Sequence, residues 1–559
     1  MREFEKIRKK ILSQEKGTII KSSYQLRIAL GYPNRYEVGI ANLGFQSIYR
    51  VLNQMEEVSC ERFFLFDYSP SDKVRTLESG DPLNFFQIIS FSVPFELDYL
   101  NILKILKQAK IPLLKKERDE NHPFLLAGGV AVTLNPEVMA PFFDAVFIGE
   151  GEEGIKEIAQ AFLKAAGGKY SRKKLFLDLA EVKGVYLPEF YEPVYDEKGL
   201  LREYKTEKGV PQKIERRKAD LEGIETYSSI VTPLSHFKDM FTVETGRGCS
   251  WRCRFCAAGH IYKPFRFNKK EKILSEIEKY KGETKSIGLV GSMVSDLPYL
   301  EELCFELNQK GYEIGISSLR ADKISSNLLD ILIKSGLKTL TIAPESGTER
   351  MWKIIDKRLE LEDVLKSVQI AKEKNLEKLK LYFIIGLPFE EEKDIEGIVD
   401  LIKKIHKIFM GGSGANVGAT FIERSETRFS RVVARKIILS INPFVPKAHT
   451  PFQWAPMDSE KSLKNKLKMI ADGIRGLKGI KFEKKSIKEA ILQGVLSQGN
   501  RKVGLGLYHH IKENLPLSQA FRKAGVDMKF LAFKEKPKDY VFPWEIVETG
   551  VEKKSLYRE

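Results

Sequence analysis

The chain has 559 residues, 43% of them hydrophobic and 30% charged, and its net charge is +16 (92 Lys and Arg against 76 Asp and Glu). This length predicts two to four domains, and the absence of any run of about 18 apolar residues argues against a membrane-spanning helix. The charged opening MREFEKIRKKIL predicts no secretory signal, and five cysteines, three of them crowded together, favour a reducing cytoplasm over a disulfide framework.

Residues 25 to about 165 alternate short apolar runs with amphipathic stretches. The pattern predicts strands in QLRIALGYP, FFLFDYS, QIISFSVPF, FLLAGGVAV and DAVFIG, separated by helices such as LGFQSIYRVLNQM and LDYLNILKILKQA. Such alternation predicts an α/β fold with a doubly wound parallel sheet, here a Rossmann-like domain over 1–166. Ligands bind beyond the carboxyl ends of these strands. The turns Gly128-Gly129 and Gly149-Glu150-Gly151 are therefore candidate ligand sites, although tight βα turns explain them equally well.

The middle of the chain divides into a linker and a second α/β region. Residues 167–240 mix aromatic, turn and charged residues, which predicts a β-rich linker. Strand and helix patterns then alternate from 241 to 440. The candidate strands are FTVET, SIGLVG, EIGISSL, TLTIAPE, KLKLYFIIG and NVGATFI. Six βα units predict a partial (β/α)6 barrel rather than a complete eightfold one.

The last segment, 441–559, is predicted to be mainly helical and is strongly basic. It holds 23 Lys and Arg against 13 Asp and Glu, a net charge of +10. Basic segments of this kind bind nucleic-acid phosphates by counterion release, so RNA is one candidate partner. A solvated, lysine-rich surface accounts for the same composition.

Three cysteines stand close together in VETGRGCSWRCRFC, at 249, 253 and 256. Thiolates bind zinc or iron–sulfur clusters. A zinc site needs a fourth ligand, for which His260 is a candidate. Three thiolates on a [4Fe–4S] cube instead leave one iron open for a cofactor. Cys60 and Cys304 have apolar neighbours and are expected to be core residues.

This C-x3-C-x2-C spacing, with Phe255 as the aromatic residue before the last cysteine, resembles the signature of the radical S-adenosylmethionine (radical SAM) superfamily. The resemblance implies that Cys249, Cys253 and Cys256 bind a [4Fe–4S] cluster whose open iron binds S-adenosylmethionine. Reduction then yields a 5′-deoxyadenosyl radical. An electron donor such as a flavodoxin or ferredoxin is implied as a partner.

The resemblance also implies a pocket for S-adenosylmethionine at the carboxyl ends of the barrel strands. The candidate contacts are Phe255, Gly291, Ser292, Ser317, Arg320, Glu345, Gly386 and Pro388. The charged fork of Arg320 suits the methionine carboxylate. Each position is also explained by a turn or a helix cap. His260 and His449 are candidates for the substrate side, against the commoner role of a hydrogen-bonded structural histidine.

The segment GGVAVTLNPEVMAPFFDAVFIGEGEE (128–153) resembles the cobalamin-binding domains found in one class of these enzymes, and Gly128, Gly129, Gly149, Glu150 and Gly151 would then contact cobalamin. INPFVPKAHTPFQW and the ending FPWEIVETGV resemble an uncharacterised subfamily of that class. One departure matters, because no histidine precedes His122 and the Asp-x-His-x-x-Gly loop that ligates cobalt is absent. The domain therefore either binds a corrinoid without that ligand or has only a structural role.

Two main functions follow from these features. The first is a radical SAM enzyme that functionalises an unactivated C–H bond, by cobalamin-dependent methylation or by another radical reaction. The alternative is an RNA- or ribosome-associated modifying protein whose basic C-terminal region holds RNA, with the cobalamin-type domain only structural. A non-catalytic, cluster-bearing scaffold is a third hypothesis. The substrate is not encoded in any motif of the sequence.

Overall fold

The computed structural model of the protein describes residues 2–66, 73–166, 171–197, 199–280, 282–411 and 435–559. The strands, in chain order, are β1 Leu26–Tyr32, β2 Val58–Phe64, β3 Ile88–Ser92, β4 Phe124–Gly128, β5 Ala145–Phe147, β6 Val185–Tyr186, β7 Tyr191–Tyr195, β8 Leu201–Thr206, β9 Ile214–Glu215, β10 Met240–Arg247, β11 Arg266–Phe267, β12 Ser286–Gly291, β13 Glu313–Ile316, β14 Thr339–Glu345, β15 Lys378–Ile385, β16 Lys436–Pro443, β17 Ile480–Lys484 and β18 Val547–Glu548.

The helices, in chain order, are α1 Arg2–Gln14, α2 Tyr36–Gly39, α3 Leu43–Asn53, α4 Tyr99–Gln108, α5 Val130–Leu134, α6 Gly154–Ala166, α7 Arg172–Glu181, α8 Ala258–Ile261, α9 Lys270–Glu278, α10 Leu300–Gln309, α11 Ser326–Lys334, α12 Glu349–Ile354, α13 Leu361–Glu373, α14 Glu392–Met410, α15 Glu460–Gly473, α16 Ile487–Gln498, α17 Arg501–Glu513, α18 Leu517–Lys523, α19 Met528–Phe533 and α20 Lys553–Arg558. Within the described residues, no helix combines the length and apolarity needed to cross a membrane.

The chain forms two compact units. The first, which we call the N-terminal unit, contains 1–243, 446–454 and 492–559. The second, the barrel unit, contains 244–445 and 455–491. Both units are therefore built from segments that are distant in sequence.

The N-terminal unit is organised around a six-stranded sheet with the order β2-β1-β3-β4-β5-β6. The first five strands are parallel, and only β6 runs antiparallel to its neighbour β5. Every residue of β2 is buried, as expected for a strand covered on both faces. Strand order reverses at β1, which lies between β2 and β3. This is the switch point beside which doubly wound sheets bind their ligands.

The barrel unit contains two four-stranded sheets, β11-β10-β12-β13 and β14-β15-β16-β17. A parallel bridge between Leu319 and Ile342 connects the segment after β13 to β14. Strands β14 to β17 are parallel, and the buried residues of β15 and β16 alternate strictly with half-buried or exposed ones. The arrangement is an arc of strands with helices between them, which confirms the prediction of an α/β fold with a partial barrel.

The structure differs from the predicted division of the chain in two places. The segment 441–559 is not one region, because its parts belong to different units. Pairing across long sequence distances explains this: β18 pairs with β9, and Asn135 donates to the Ser497 and Gly499 carbonyls. The predicted strand NVGATFI lies outside the described residues. The strands after β15 are instead β16, which crosses the predicted boundary at 440/441, and β17, which lies within the predicted C-terminal region.

Candidate active site

The three clustered cysteines lie in the loop that follows β10 and precedes the short helix α8. Cys253 is buried, whereas Cys249 and Cys256 are partly accessible. Carboxyl ends of barrel strands are where barrel enzymes place their chemistry, because several loops converge there. Phe255, the aromatic residue of the motif, is half-buried beside the last cysteine. The loop thus presents three thiols at the catalytic end of the barrel unit.

The thiols are neutral in the free protein near neutral pH. Burial raises the pKa of Cys249 to about 11 and that of Cys253 to about 12, and it also raises the pKa of Cys256. Thiolates bind metals, whereas thiols do not. Binding of a metal group at this loop must therefore release protons, as metal binding to cysteine generally does.

The donor set fits a cluster better than a single ion. Within the described residues, no group of three His, Cys, Asp or Glu side chains converges closely enough to hold one metal ion. Ligands of a single zinc ion lie about 4 Å apart, since Zn–S bonds are about 2.3 Å long. Cysteines that bind different irons of a cube are further apart. A set of three thiolates suits an iron–sulfur cluster with one open iron.

The cysteine loop is fixed by contacts to the segment 353–358, which begins in the last turn of α12. The Arg254 backbone N–H donates to the Ile355 carbonyl at 3.0 Å, and the Arg254 guanidinium donates to the carbonyls of Lys353 and Ile354. From the other side, Arg320 donates to the carbonyls of Lys357 and Arg358 at 3.0–3.3 Å. The segment is therefore held by two guanidinium groups.

Arg320 also contacts the cysteine loop directly. Its guanidinium carbon lies 3.6 Å from the ring centroid of Trp251, and its Nε donates to Asp322 at 3.0 Å. The Trp251 indole N–H donates to Asp296 at 3.2 Å. Most of the donors of Arg320 are thus used within the protein. In the structure this residue braces the cysteine loop, and its contact with the methionine carboxylate stays a prediction.

A buried ion pair stands beside the cysteines. Lys357 Nζ lies 3.2 Å from a carboxylate oxygen of Glu345, and both side chains are about seven-eighths buried. Glu345 was predicted as a site residue, whereas Lys357 was not. Burial raises the pKa of Glu345 and is opposed by Lys357. Burial is also the largest influence on Lys357 and disfavours its charge, but the negative charges of Glu345 and Cys253 and the hydrogen bond to Glu345 together raise the pKa of Lys357. The Lys357 charge acts on Cys253 and Cys256 in the opposite sense to that of Glu345.

The backbone at this pair is strained. Glu345 has a φ of 68°, and Asp356 and Arg358, on either side of Lys357, each have a φ of 49°. Left-handed conformations of non-glycine residues cost about 1–3 kcal/mol each and concentrate at functional sites. The strain is balanced here by the hydrogen bonds of Arg254 and Arg320 to the same segment.

The remaining predicted contacts for S-adenosylmethionine lie at strand ends of the barrel unit. Gly291 ends β12, Glu345 ends β14, and Gly386 and Pro388 follow β15. Ser292 and Ser317 are exposed, and Gly291 and Pro388 are partly exposed. Phe389, which sequence analysis missed, is 73% exposed with a φ of 62°. The signal that could have identified it is its position directly after the Gly-x-Pro turn, in GLPF.

The two candidate histidines are buried, which favours the structural role over the substrate-side role. His260 has no exposed surface and lies in α8, with its Nε2 3.4 Å from the Cys253 carbonyl. His449, in the N-terminal unit, is 6% exposed, and its ring packs 6.3 Å from that of Trp544. Both positions are typical of structural histidines.

The turns predicted to bind cobalamin differ in their accessibility. Gly128 and Gly129 are partly exposed at the end of β4. Gly129 has a φ of 111°, and a Cβ there would lie 2.7 Å from the Val93 carbonyl oxygen. At the end of β5 the linker covers the turn: the Glu150 carboxylate accepts from Ala219 N–H at 3.0 Å, and a Cβ on Gly149 would lie 2.3 Å from the Arg217 carbonyl oxygen. Gly151 lies against Ile48.

Comparison with known proteins gives two family matches. Residues 243–402 match the model described as the radical SAM superfamily, and residues 44–188 match the model described as radical SAM proteins, N-terminal. The chain contains a radical SAM domain. The match spans the cysteine loop, the ion pair and the Gly-x-Pro turn, and it confirms the predicted class of enzyme. The N-terminal match shows that the doubly wound domain, too, belongs to a radical SAM protein.

Curated relatives extend the similarity over most of the chain. An uncharacterized protein of Methanocaldococcus jannaschii is 29% identical over 506 residues, which cover 90% of this chain and 95% of that protein. An uncharacterized methyltransferase of Pyrococcus horikoshii is 25% identical over 304 residues, covering 52% and 60%. The ribosomal protein uS12 methylthiotransferase RimO of Thermodesulfovibrio yellowstonii is 28% identical over 178 residues, covering 29% and 41%.

Two solved structures share a more distant similarity. The radical SAM methyltransferase TsrM of Kitasatospora setae, with cobalamin and a [4Fe–4S] cluster bound, has a TM-score of 0.47 at 13% identity over 74% of this chain and 72% of that one. The cobalamin-dependent radical SAM enzyme OxsB has a TM-score of 0.48 at 18% identity over 67% and 51%.

Proposed function

We propose that this radical SAM enzyme is cobalamin-dependent and functionalises an unactivated C–H bond, with methyl transfer as its reaction. The observation that carries the proposal is that one chain contains both a three-cysteine loop at the carboxyl end of β10 and a doubly wound domain. The sheet order of that domain leaves a ligand-binding switch point beside β1. The methyltransferase relative from Pyrococcus horikoshii supports the reaction type.

Cys249, Cys253 and Cys256 would each hold one iron of the cluster. When bound, the [4Fe–4S] cluster supplies one electron that cleaves S-adenosylmethionine to a 5′-deoxyadenosyl radical, and a corrinoid supplies a methyl carrier. The protein's own residues position these groups. Glu345 offers a carboxylate for a cationic part of S-adenosylmethionine, and Phe389 offers an exposed ring on which adenine can stack.

Part of the N-terminal unit fits a corrinoid and part does not. Ser92, Gly128 and Gly129 are partly exposed at the ends of the neighbouring strands β3 and β4. The linker covers the end of β5, so we do not include Gly149 and Glu150 among the residues proposed to contact cobalamin. Because no histidine occurs in the first 121 residues, no imidazole from the loops after β1, β2 or β3 can ligate cobalt. We propose that the corrinoid binds over β3 and β4 without such a ligand.

The test is anaerobic reconstitution with iron, sulfide and hydroxocobalamin, followed by metal analysis and incubation with S-adenosylmethionine and a one-electron reductant. We expect three results: four irons per chain, one cobalt per chain, and 5′-deoxyadenosine in the reduced sample. Cys249→Ala should lose iron and 5′-deoxyadenosine but keep cobalt. Iron and 5′-deoxyadenosine without cobalt would remove the corrinoid and the methyl transfer while leaving the radical chemistry intact.

A further inference from the structure

A basic groove lies in the barrel unit, between helix α15, strand β17 and the turn that leads into α16. Its volume is about 450 Å³, within the range of about 300–1,000 Å³ that accommodates a small ligand or one unit of a longer one. Five lysines line it: Lys464, Lys468, Lys484, Lys485 and Lys488. All five side chains are exposed, so their charges can meet a partner.

The charge in this groove is not balanced by its own acidic residues. Glu460, its one acidic lining residue, pairs with Lys464 at 2.7 Å. Within the described part of the chain, the other four lysines form no ion pair. The groove therefore carries a net charge of about +4, which attracts polyanions and is unfavourable to the folded state by self-repulsion. A surface that serves solubility alone usually intersperses both signs of charge.

The groove also contains an aromatic ring. Phe482 lies in β17 and is half-buried, and Lys484 and Lys485 follow it after Glu483. Leu467 forms part of the apolar wall. Proteins that bind single-stranded nucleic acids combine a basic groove for the backbone with aromatic side chains on which bases stack. This combination is present here within one concave feature.

We propose that this groove, lined by Phe482 and the five lysines, binds single-stranded RNA. Phosphates contact the lysines, and one unpaired base stacks on Phe482. A planar membrane surface fits a concave groove poorly, and an acidic peptide needs no ring for stacking, so RNA matches the observations better than either. The proposal concerns a surface outside the cysteine site, and it stands or falls independently of cobalamin and of methyl transfer.

The experiment measures binding of a fluorescein-labelled 20-nucleotide oligouridylate to the full-length protein by anisotropy, over a series of salt concentrations. Single-strand binding gives a slope of log K against log salt of about −0.7 per phosphate contacted, so three to four contacts predict a slope of about −2 to −3. The triple variant Lys484→Gln/Lys485→Gln/Lys488→Gln should weaken binding at least tenfold and make the slope shallower by about 2. Phe482→Leu should weaken binding about tenfold without changing the slope.

The matched control removes three exposed lysines from α14, in Lys403→Gln/Lys404→Gln/Lys407→Gln, which lowers the net charge of the same unit equally. We expect this variant to bind as the parent does. Equal losses in both triple variants would show only general charge attraction and would overturn the proposal. It would also be overturned if phosphatidylserine vesicles or polyglutamate competed as well as RNA, or if Phe482→Leu bound RNA unchanged. Circular dichroism of each variant confirms that the fold is retained.

Discussion

The ion pair between Lys357 and Glu345 should tune the reduction potential of the cluster in a predictable sense. A positive charge near the cluster stabilises the added electron, and a negative charge destabilises it. Of the two charges, Lys357 has the larger influence on the cysteines, because its effect on the pKa values of Cys253 and Cys256 exceeds that of Glu345. Lys357→Met should therefore lower the midpoint potential, and Glu345→Gln should raise it.

The magnitudes follow from Coulomb's law with an effective dielectric constant of about 20. If the Lys357 ammonium lies about 7 Å from the bound cluster, its unit charge contributes about 2.4 kcal/mol, or about 100 mV for one electron. Glu345 lies 3.2 Å from Lys357. If it is about 3 Å further from the cluster, it contributes about 1.7 kcal/mol, or about 70 mV, with the opposite sign. The double variant Lys357→Met/Glu345→Gln should then fall only about 30 mV below the parent.

The assay is an anaerobic redox titration of the reconstituted cluster, followed by electron paramagnetic resonance in the absence of S-adenosylmethionine. Iron and sulfide contents must match the parent, and Lys357→Arg serves as the control that keeps the charge. The explanation fails if Lys357→Met leaves the potential unchanged or raises it, or if the two single variants shift the potential in the same direction. Thermal unfolding of Lys357→Met is needed as well, because the variant leaves the buried Glu345 unpaired.

Three further predictions concern the cysteine loop and the N-terminal unit. Cys253→Ala should lose the visible absorbance of the cluster and its iron, whereas Cys304→Ala, at a buried core position, should keep both. Gly149→Ala should lower the free energy of unfolding by about 3 kcal/mol, because φ is 117° there and a Cβ would overlap Arg217. Urea titration should find a smaller loss for the control Gly209→Ala, where φ is 99° and no atom lies within 4 Å of the added Cβ. Burial raises the pKa of Asp98 to about 6, so the native state binds the carboxyl proton more tightly than the unfolded state does. The buried charge therefore destabilises the native state above pH 6, and this destabilisation disappears as the pH falls towards 4. Asp98→Asn should therefore unfold later than the parent at pH 7.5, by up to about 3 kcal/mol, and no later at pH 4; an advantage that persists at pH 4 would contradict the assignment.

Local pattern in the sequence was sufficient to predict the class of fold and to single out three cysteines as candidate cluster ligands. Alternating apolar strands and amphipathic helices predict parallel α/β units because each element carries its own periodicity. The three cysteines lie within eight residues, so their proximity needs no tertiary information. For the same reason, the Gly-x-Pro turn after β15 was recognisable from its letters alone.

Tertiary structure decided which side chains are available for chemistry. Arg320 has a charge suited to a carboxylate, but its hydrogen bonds are made to the segment 353–358, which lies more than 30 residues further along the chain. Lys357 was unremarkable in a chain rich in lysine. It becomes a site residue because two arginines and a left-handed turn hold its segment against the cysteine loop.

The division into units likewise depends on long-range pairing. The C-terminal residues read as one basic, helical region, yet β16 and β17 complete the barrel sheet and the segments 446–454 and 492–559 belong to the N-terminal unit. Most of the strands and helices and the group of three thiols could be predicted from local pattern, because they depend on residues close together in the chain. Burial, ion pairing and the partners of each strand could not, because they depend on contacts between residues that are tens to hundreds of positions apart.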